Sequence, residues 1–303
     1  MKISLPFLAA TAALFFVTGC TEPATEETTD APDPGASSPE ASTGDGTETL
    51  FNGTDLTGWK GNPENWKVEN GVIVGTTSDE NPLPYNQFLI WEGDPVENFE
   101  LTAELKLTSN GNNSGIQYRA QERPDLGENV VSGYQCDMHP AVWANGMLYD
   151  EKGRGILCKR GMKAVITAEG KAKQVGELPL EPEFVTEEWN TYKIIAKGNH
   201  LVHQINGVQT VDVYDHHEEE RDLAGVIAFQ IHRGAAMKIE IRNVTLKRLP
   251  AGGVVAADQT PVPADAADVN PPKKKAAPKA KGKGKEGTKG KGNKEGAKGA
   301  KKE

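Results

Sequence analysis

The stretch FELTAELKLT, residues 99–108, decides the fold. Phe99, Leu101, Ala103, Leu105 and Leu107 alternate with Glu100, Thr102, Glu104, Lys106 and Thr108. A repeat of two places the apolar set on one side of an extended chain, so the segment predicts a half-buried strand. The same reading applies to 66–68, 71–74, 88–91, 115–120, 133–138, 191–196, 201–205, 208–213, 225–232 and 237–246. Turn residues separate these runs, and Asn206-Gly207 between two of them is a strong hairpin signal. In 237–246 the apolar set Met237, Ile239, Ile241 changes phase to Val244, Leu246. That shift predicts a bulge near Arg242-Asn243. No helix of ordinary length is visible. About 200 residues carrying a dozen short strands suit one two-sheet sandwich, spanning 49–249.

Both ends differ in kind from this middle. The apolar run 3–17 is shorter than the ~20 residues a spanning helix needs and fits the core of a secretory signal. Val17-Thr18-Gly19-Cys20 resembles a bacterial lipobox. It predicts a lipoprotein signal over 1–19, lipidation at Cys20, and a protein exported and anchored through its lipid to the cell envelope. Residues 20–48 are rich in Thr, Glu, Asp, Pro, Ser and Gly without Lys or Arg, which predicts a disordered acidic tether. Residues 250–303 lose hydrophobic periodicity and end in Lys, Gly, Ala and Pro. They read as a second disordered segment, either a solvated charge run or a contact for an anionic surface.

The net charge of −9 resides in the middle: 49–249 holds 20 basic and 29 acidic residues. An acidic domain argues against specific nucleic-acid chemistry. With Cys20 assigned to lipidation, Cys136 and Cys158 remain. In an oxidising compartment an even remainder favours a disulfide, with two buried thiols as the alternative.

Alternation also sorts the polar residues. In SGIQYRAQ, Ile116 and Tyr118 share one face, leaving Gln117 and Arg119 on the other. In GYQCDM, Tyr134, Cys136 and Met138 lie opposite Gln135 and Asp137, and in GVIAFQIHRG, Gln230 and His232 lie opposite Ile227, Phe229 and Ile231. Solvent faces of antiparallel sheets carry mostly Thr, Lys and Glu, as the opening stretch does. A patch of Gln, Arg, Asp and His instead suits hydrogen bonding to sugar hydroxyls and acid–base work. The loop LYDEKGRG adds Tyr149, Glu151 and Arg154 at a strand mouth, or else is an exposed hairpin. Trp143 reads either as a sugar-stacking platform or as a buried anchor. Asp137, His139 and His232 form a candidate set for a divalent metal ion, although no spacing among them is diagnostic.

Ordered motifs carry a resemblance: LFNGTDLTGW (50–59), NSGIQYRAQ (113–121), GYQCDMHP (133–140), LYDEKGRGIL (148–157), EWNTYKIIAKGNHLVHQINGV (188–208), GVIAFQIHRG (225–234) and MKIEIRNVTLKRL (237–249). Together they resemble the bacterial 3-keto-disaccharide hydrolase family. The resemblance implies an all-β, concanavalin A-like jelly-roll sandwich of two antiparallel sheets. It also implies cleavage of glycosides oxidised at C3, the ketone acidifying the C2 proton so that the C1 substituent leaves. Under it, Asp137 or His232 is the base, Arg119 the oxyanion partner and Glu151 the acid. Gln117, Gln135, Gln230, Tyr149, Trp143 and Arg154 would bind substrate. A divalent metal used by some members and a separate sugar 3-oxidoreductase supplying the keto-sugar are further implications. The departure at Cys136 and Cys158, where a small and a large apolar residue are expected, suggests a Cys136–Cys158 disulfide. The competing expectation is a non-catalytic carbohydrate-binding lipoprotein, because fold alone does not fix function.

Overall fold

The computed structural model describes residues 46–180 and 184–271, and the sequence-predicted signal, Cys20 and most of the tether lie outside them. The strands are β1 (Thr47–Thr49), β2 (Trp59–Lys60), β3 (Trp66–Glu69), β4 (Val72–Thr77), β5 (Gln87–Trp91) and β6 (Phe99–Ser109). They continue as β7 (Ser114–Glu122), β8 (Val131–Met138), β9 (Leu148–Glu151), β10 (Gly155–Cys158), β11 (Met162–Ile166) and β12 (Ala172–Glu177). The last are β13 (Asn190–Lys197), β14 (His200–Ile205), β15 (Val208–Asp215), β16 (Val226–Ile231) and β17 (Met237–Arg248). A ten-stranded sheet runs β12-β11-β15-β14-β13-β6-β17-β4-β3, with β1 added against β17. A seven-stranded sheet runs β10-β9-β8-β7-β16-β5-β2. Pairing is antiparallel throughout the described residues except between β11 and β15.

The alternation in β6 does what its spacing predicts. Phe99, Leu101, Ala103, Leu105 and Leu107 are fully buried between the sheets, against Tyr118, Tyr134, Phe229 and their neighbours. The 206–207 turn joins β14 to β15 with positive φ at both residues, 50° and 80°, as a type I′ hairpin requires. In β17 the register with β6 shifts between Arg242 and Thr245, where Asn243 takes φ 52°. The all-β sandwich is thus the observed fold.

The ends of the folded unit need correction. Residues 46–48 leave the tether to start β1, and 250–271 are not a free tail. Val269 is buried, its N–H donating to Ala172 O at 2.9 Å, while Lys159 Nζ donates to Val269 O at 2.8 Å. His216 Nε2 meets Thr260 Oγ1 at 2.6 Å, and Asn199 Oδ1 accepts from Val255 N–H at 2.8 Å. This chain needs no repeat of two, because it is held by individual hydrogen bonds, first at the ends of β13 to β15 and then along β12, and not by a ladder.

The expected disulfide is also corrected: Cys136 and Cys158 are free and buried. Both stand in register with Leu148, Cys136 from β8 and Cys158 from β10. With β9 between them, their backbones are two strand spacings apart, about 9.6 Å. A disulfide bridges less than about 7 Å between Cα atoms. Burial pushes both thiols up, Cys158 to about 12.

Candidate functional site

The outward face of the seven-stranded sheet is built row by row from the register. Gln117 in β7 pairs with Gln135 in β8, which pairs with Tyr149 in β9; one row along, Gly115 pairs with Asp137. Their amides touch. Gln117 Nε2 lies 2.7 Å from Gln135 Oε1. The reverse setting of that amide would turn its nitrogen to the carbonyls of Gly133 and Tyr134, at 3.2 and 3.0 Å. Gln230 Nε2 donates to Gln135 Oε1 at 2.9 Å, and Gln135 Nε2 donates to Asp137 Oδ1. Gln230 Oε1 is buried without a partner among the described residues.

Above this floor opens a cavity of about 410 Å³. It gathers the predicted Gln135, Asp137, His139, Trp143, Tyr149, Glu151, Gln230 and His232 into one place. Trp143 is 53 % exposed on its rim, which excludes the buried-anchor reading. The 139–147 segment that carries Trp143 is fastened from below. Asn145 Oδ1 accepts from His139 N–H at 3.2 Å and from Tyr192 Oη at 2.8 Å, and Gly146 N–H donates to Asp137 O at 2.7 Å.

Three predicted residues lie elsewhere. Gln117 sits wholly buried beneath the floor as a support for Gln135. Arg119 is turned away by a bulge: it adopts φ 49°, and the β7–β8 register shifts between Tyr118 and Gln121. Its guanidinium donates to Glu97 O and Gly198 O, each at 2.7 Å, so it cannot serve as the oxyanion partner. A side chain on Gly225 would meet the Arg119 carbonyl carbon at 2.4 Å, so glycine there admits the bulge. Arg154 folds back onto Asp150, Nε to Oδ2 at 2.7 Å, and reaches Asp215 Oδ2 at 2.8 Å. Asp150 is on the inward parity of β9, so Arg154 follows it inside and does not bind at this cavity.

The sequence reading missed Tyr85, Asn86, Asn113, Met147, Lys152 and Arg233 among the lining residues. Asn86 is the informative one. Its Nδ2 donates to Glu151 Oε1 at 3.3 Å and its Oδ1 accepts from Arg233 N–H at 3.1 Å, joining two walls. It precedes β5 in a loop, where periodicity carries no signal.

Burial raises the Asp137 carboxyl to about 7, the Gln135 hydrogen bond opposing this and the charge of Glu151 adding to it. Burial also lowers both His232 and His139, the latter further through its proximity to His232. The two imidazoles are therefore neutral at pH 7, and backbone contacts set their tautomers. His232 Nδ1 is 2.6 Å from the Arg233 carbonyl, which only accepts, so that nitrogen carries the proton and Nε2 carries the lone pair. His139 Nδ1 accepts from Ala141 N–H at 2.9 Å, so its proton is on Nε2. The cavity thus offers one imidazole acceptor, one imidazole donor and a carboxyl poised between its two states.

A metal set is not evident. Among the described residues no three His, Cys, Asp or Glu side chains are grouped as ligands. Of Asp137, His139 and His232, which share the cavity, His232 Nε2 and Asp137 Oδ2 are open as ligand atoms, the Nδ1–H to carbonyl bond of His232 being the usual support of a ligating imidazole, whereas His139 accepts at Nδ1 and so presents a proton at Nε2.

Comparison with known proteins adds the chemistry's class. The profile described as the 3-keto-alpha-glucoside-1,2-lyase-like domain matches residues 46–247. No curated protein matches the chain. A candidate glycosyl hydrolase from Parabacteroides distasonis ATCC 8503 is similar in structure, with 24 % identity, TM-score 0.46, and 68 % of this chain and 95 % of that one covered. The carbohydrate-binding module CBM66 from Bacillus subtilis has 12 % identity, TM-score 0.39, and coverage of 69 % and 99 %. A Bacillus subtilis protein of unknown function with a galectin-like fold has 10 % identity, TM-score 0.43, and coverage of 67 % and 94 %.

Proposed function

Because the chain belongs to the 3-keto-α-glucoside-1,2-lyase-like family, a carbohydrate-active group, we propose that it cleaves 3-keto-glycosides by eliminating the C1 substituent across C1–C2. The observation that carries this is the convergence of Asp137, His139 and His232 in one cavity with complementary proton states.

The C3 ketone makes the C2 proton acidic. His232 Nε2 takes that proton, and the electron pair left on C2 delocalises onto the C3 oxygen as an enolate. His139 Nε2–H donates a hydrogen bond to that oxygen, the part Arg119 cannot play. The enolate then expels the C1 oxygen, which takes a proton from the Asp137 carboxyl. The product is an enone together with the free alcohol. Addition of water across the new double bond converts lyase into net hydrolysis. Glu151 Oε1 is engaged by Asn86 and Lys152 Nζ, both at 3.3 Å, so its part is to orient the wall and to raise Asp137. The amides of Gln135 and Gln230, with Tyr149, orient sugar hydroxyls.

Incubating the protein with a 3-keto-disaccharide and a 3-keto-glucoside, then detecting released alcohol and enone, tests this reading. Release by wild type and its loss in His232→Ala support it. Binding without release by wild type would establish instead the non-catalytic carbohydrate-binding protein.

We propose a location and a source of substrate as well. Cys20 is the lipidated residue, the enzyme works at the cell envelope, and a separate sugar 3-oxidoreductase makes its keto-sugar. The Lys-rich end of the chain contacts an anionic envelope surface. These residues lie outside those described, and the support is the 17–20 motif and the tail composition. Incorporation of a labelled fatty acid into wild type but not into Cys20→Ala is the expected result.

A further inference from the structure

We infer that Trp143 divides two subsites, and that the groove on its far side holds a flat apolar aglycone of the glycoside being cleaved. This rests on the cavity around Asp137 being the place of cleavage. The groove, about 430 Å³ and open to solvent, is lined by Trp143, Ile156, Lys159 and Asn270. Trp143 also lines the cavity with Asp137 and His232, so the indole is the common wall. A substituent leaving C1 at that wall needs only to pass the indole edge to enter the groove.

The groove is built partly from chain beyond the family domain. The family match ends at 247, whereas Asn270 belongs to the segment that packs back along β10 to β12. Val269 is buried there, Lys173 pairs with Asp268 at 2.6 Å, and Gln174 N–H donates to Ala267 O at 2.9 Å. The segment's end is therefore a fixed wall.

Its chemistry selects the occupant. The Lys159 ammonium is held by Val269 O at 2.8 Å, which leaves the methylene stem facing the groove. Asn270 Nδ2 donates to Ile156 O. With the lysine ammonium and the asparagine amide nitrogen engaged, the surface left is mainly an indole, an isoleucine and a lysine stem. A second sugar ring would find few partners for its hydroxyls there, whereas an aromatic ring would stack on Trp143 and cover Ile156.

The test compares benzyl and methyl 3-keto-α-glucosides, whose leaving alcohols are of similar acidity, so a difference reports binding of the ring and not leaving-group strength. Wild type should favour the benzyl glycoside in kcat/KM by about three- to tenfold, the range of one aromatic stacking contact. Ile156→Asn, which puts an amide into the apolar wall, and Asn270→Asp, which puts a charge beside it, should each reduce this preference toward unity while leaving kcat/KM for the methyl glycoside unchanged. Asn270 is exposed, so its variant tests the groove without disturbing the core. Equal rates in wild type, or a preference surviving both substitutions, would overturn the inference. If neither glycoside is cleaved the proposed function fails, and calorimetry with unoxidised benzyl α-glucoside decides the groove separately. Binding that weakens in both variants supports it, and binding indifferent to them refutes it.

Discussion

Gln230 reaches across β7 to Gln135, amide nitrogen to amide oxygen at 2.9 Å, where the Gln135 side chain leans from its own row over Gly115. Gln135 in turn donates to Asp137. A carboxyl only 4 % exposed is thereby held by one side-chain donor, beside a second carboxylate, Glu151. The arrangement keeps a proton available near neutrality at a cost to the fold.

That cost is measurable. The folded pKa of Asp137, about 7, exceeds the ordinary value of 3.8. The unfolded chain releases its proton first as pH rises, so this group lowers stability progressively from about pH 4 to pH 7. The full effect is on the order of 4 kcal/mol above pH 7. Asp137→Asn keeps an acceptor for Gln135 and removes the charge. It should raise the melting temperature at pH 8 by several degrees while abolishing cleavage of glycosides whose leaving oxygen needs a proton. A melting temperature unchanged or lowered at pH 8 would show that Asp137 is not strained by its burial.

Gly115 is the second lever. A methyl group there would approach Gln135 Cγ and Cys136 O to 2.8 Å, and Gln135 Cδ to 2.9 Å. Gln135 must then move, and Asp137 loses its donor. Gly115→Ala is expected to lower kcat by about ten- to a hundredfold, with a stability loss of about 1–3 kcal/mol from overpacking. Steady-state kinetics and denaturant unfolding check both halves, and full activity would exclude the amide chain as a positioning device.

His203 supplies a pH limit of a different origin. It is fully buried between the sheets, with Tyr118 Oη 2.8 Å from Nε2 and Gly146 O 3.3 Å from Nδ1. Burial lowers it from 6.5 to about 4. The unfolded chain therefore takes up a proton first as pH falls, and stability declines from about pH 6.5 to pH 4. The loss is on the order of 3 kcal/mol. His203→Gln should flatten that limb of a stability profile followed by circular dichroism.

The two buried thiols give a simple check on the register. Native protein should react with a thiol reagent slowly, and Cys136 and Cys158 should both become titratable on unfolding without reductant. Reducing agent should leave the melting temperature unchanged, whereas a drop of several degrees would indicate a bridge.

These features differ in how far they could be read from residue order. Strand β6 and the face carrying Gln135 and Asp137 follow from a strict repeat of two, because both faces of those strands meet distinct surroundings. Arg119 broke the same rule: one residue at φ 49° changes parity, and its neighbours Tyr118 and Ala120 do not signal it. The cysteine pair failed because sequence does not say that β9 intervenes. Asn86, Asn270 and the whole 250–271 segment act through single hydrogen bonds from aperiodic chain, for which no pattern exists.

The assigned proton roles predict the pH dependence of cleavage. His232 must be neutral to accept the C2 proton, and burial lowers it below the usual 6.5, so activity should fall on the acid side below that value. Asp137 must carry a proton to release the C1 oxygen, and its value near 7 sets a fall on the alkaline side. The expected kcat/KM profile is a bell with its maximum between these limits. A leaving group that departs without protonation, such as nitrophenolate, should not need the acid. For it the alkaline limb should vanish in wild type, and Asp137→Asn should retain most of the rate. Loss of the nitrophenyl activity in Asp137→Asn, with a wild-type acid limb near 7, would instead make Asp137 the base and His232 its partner.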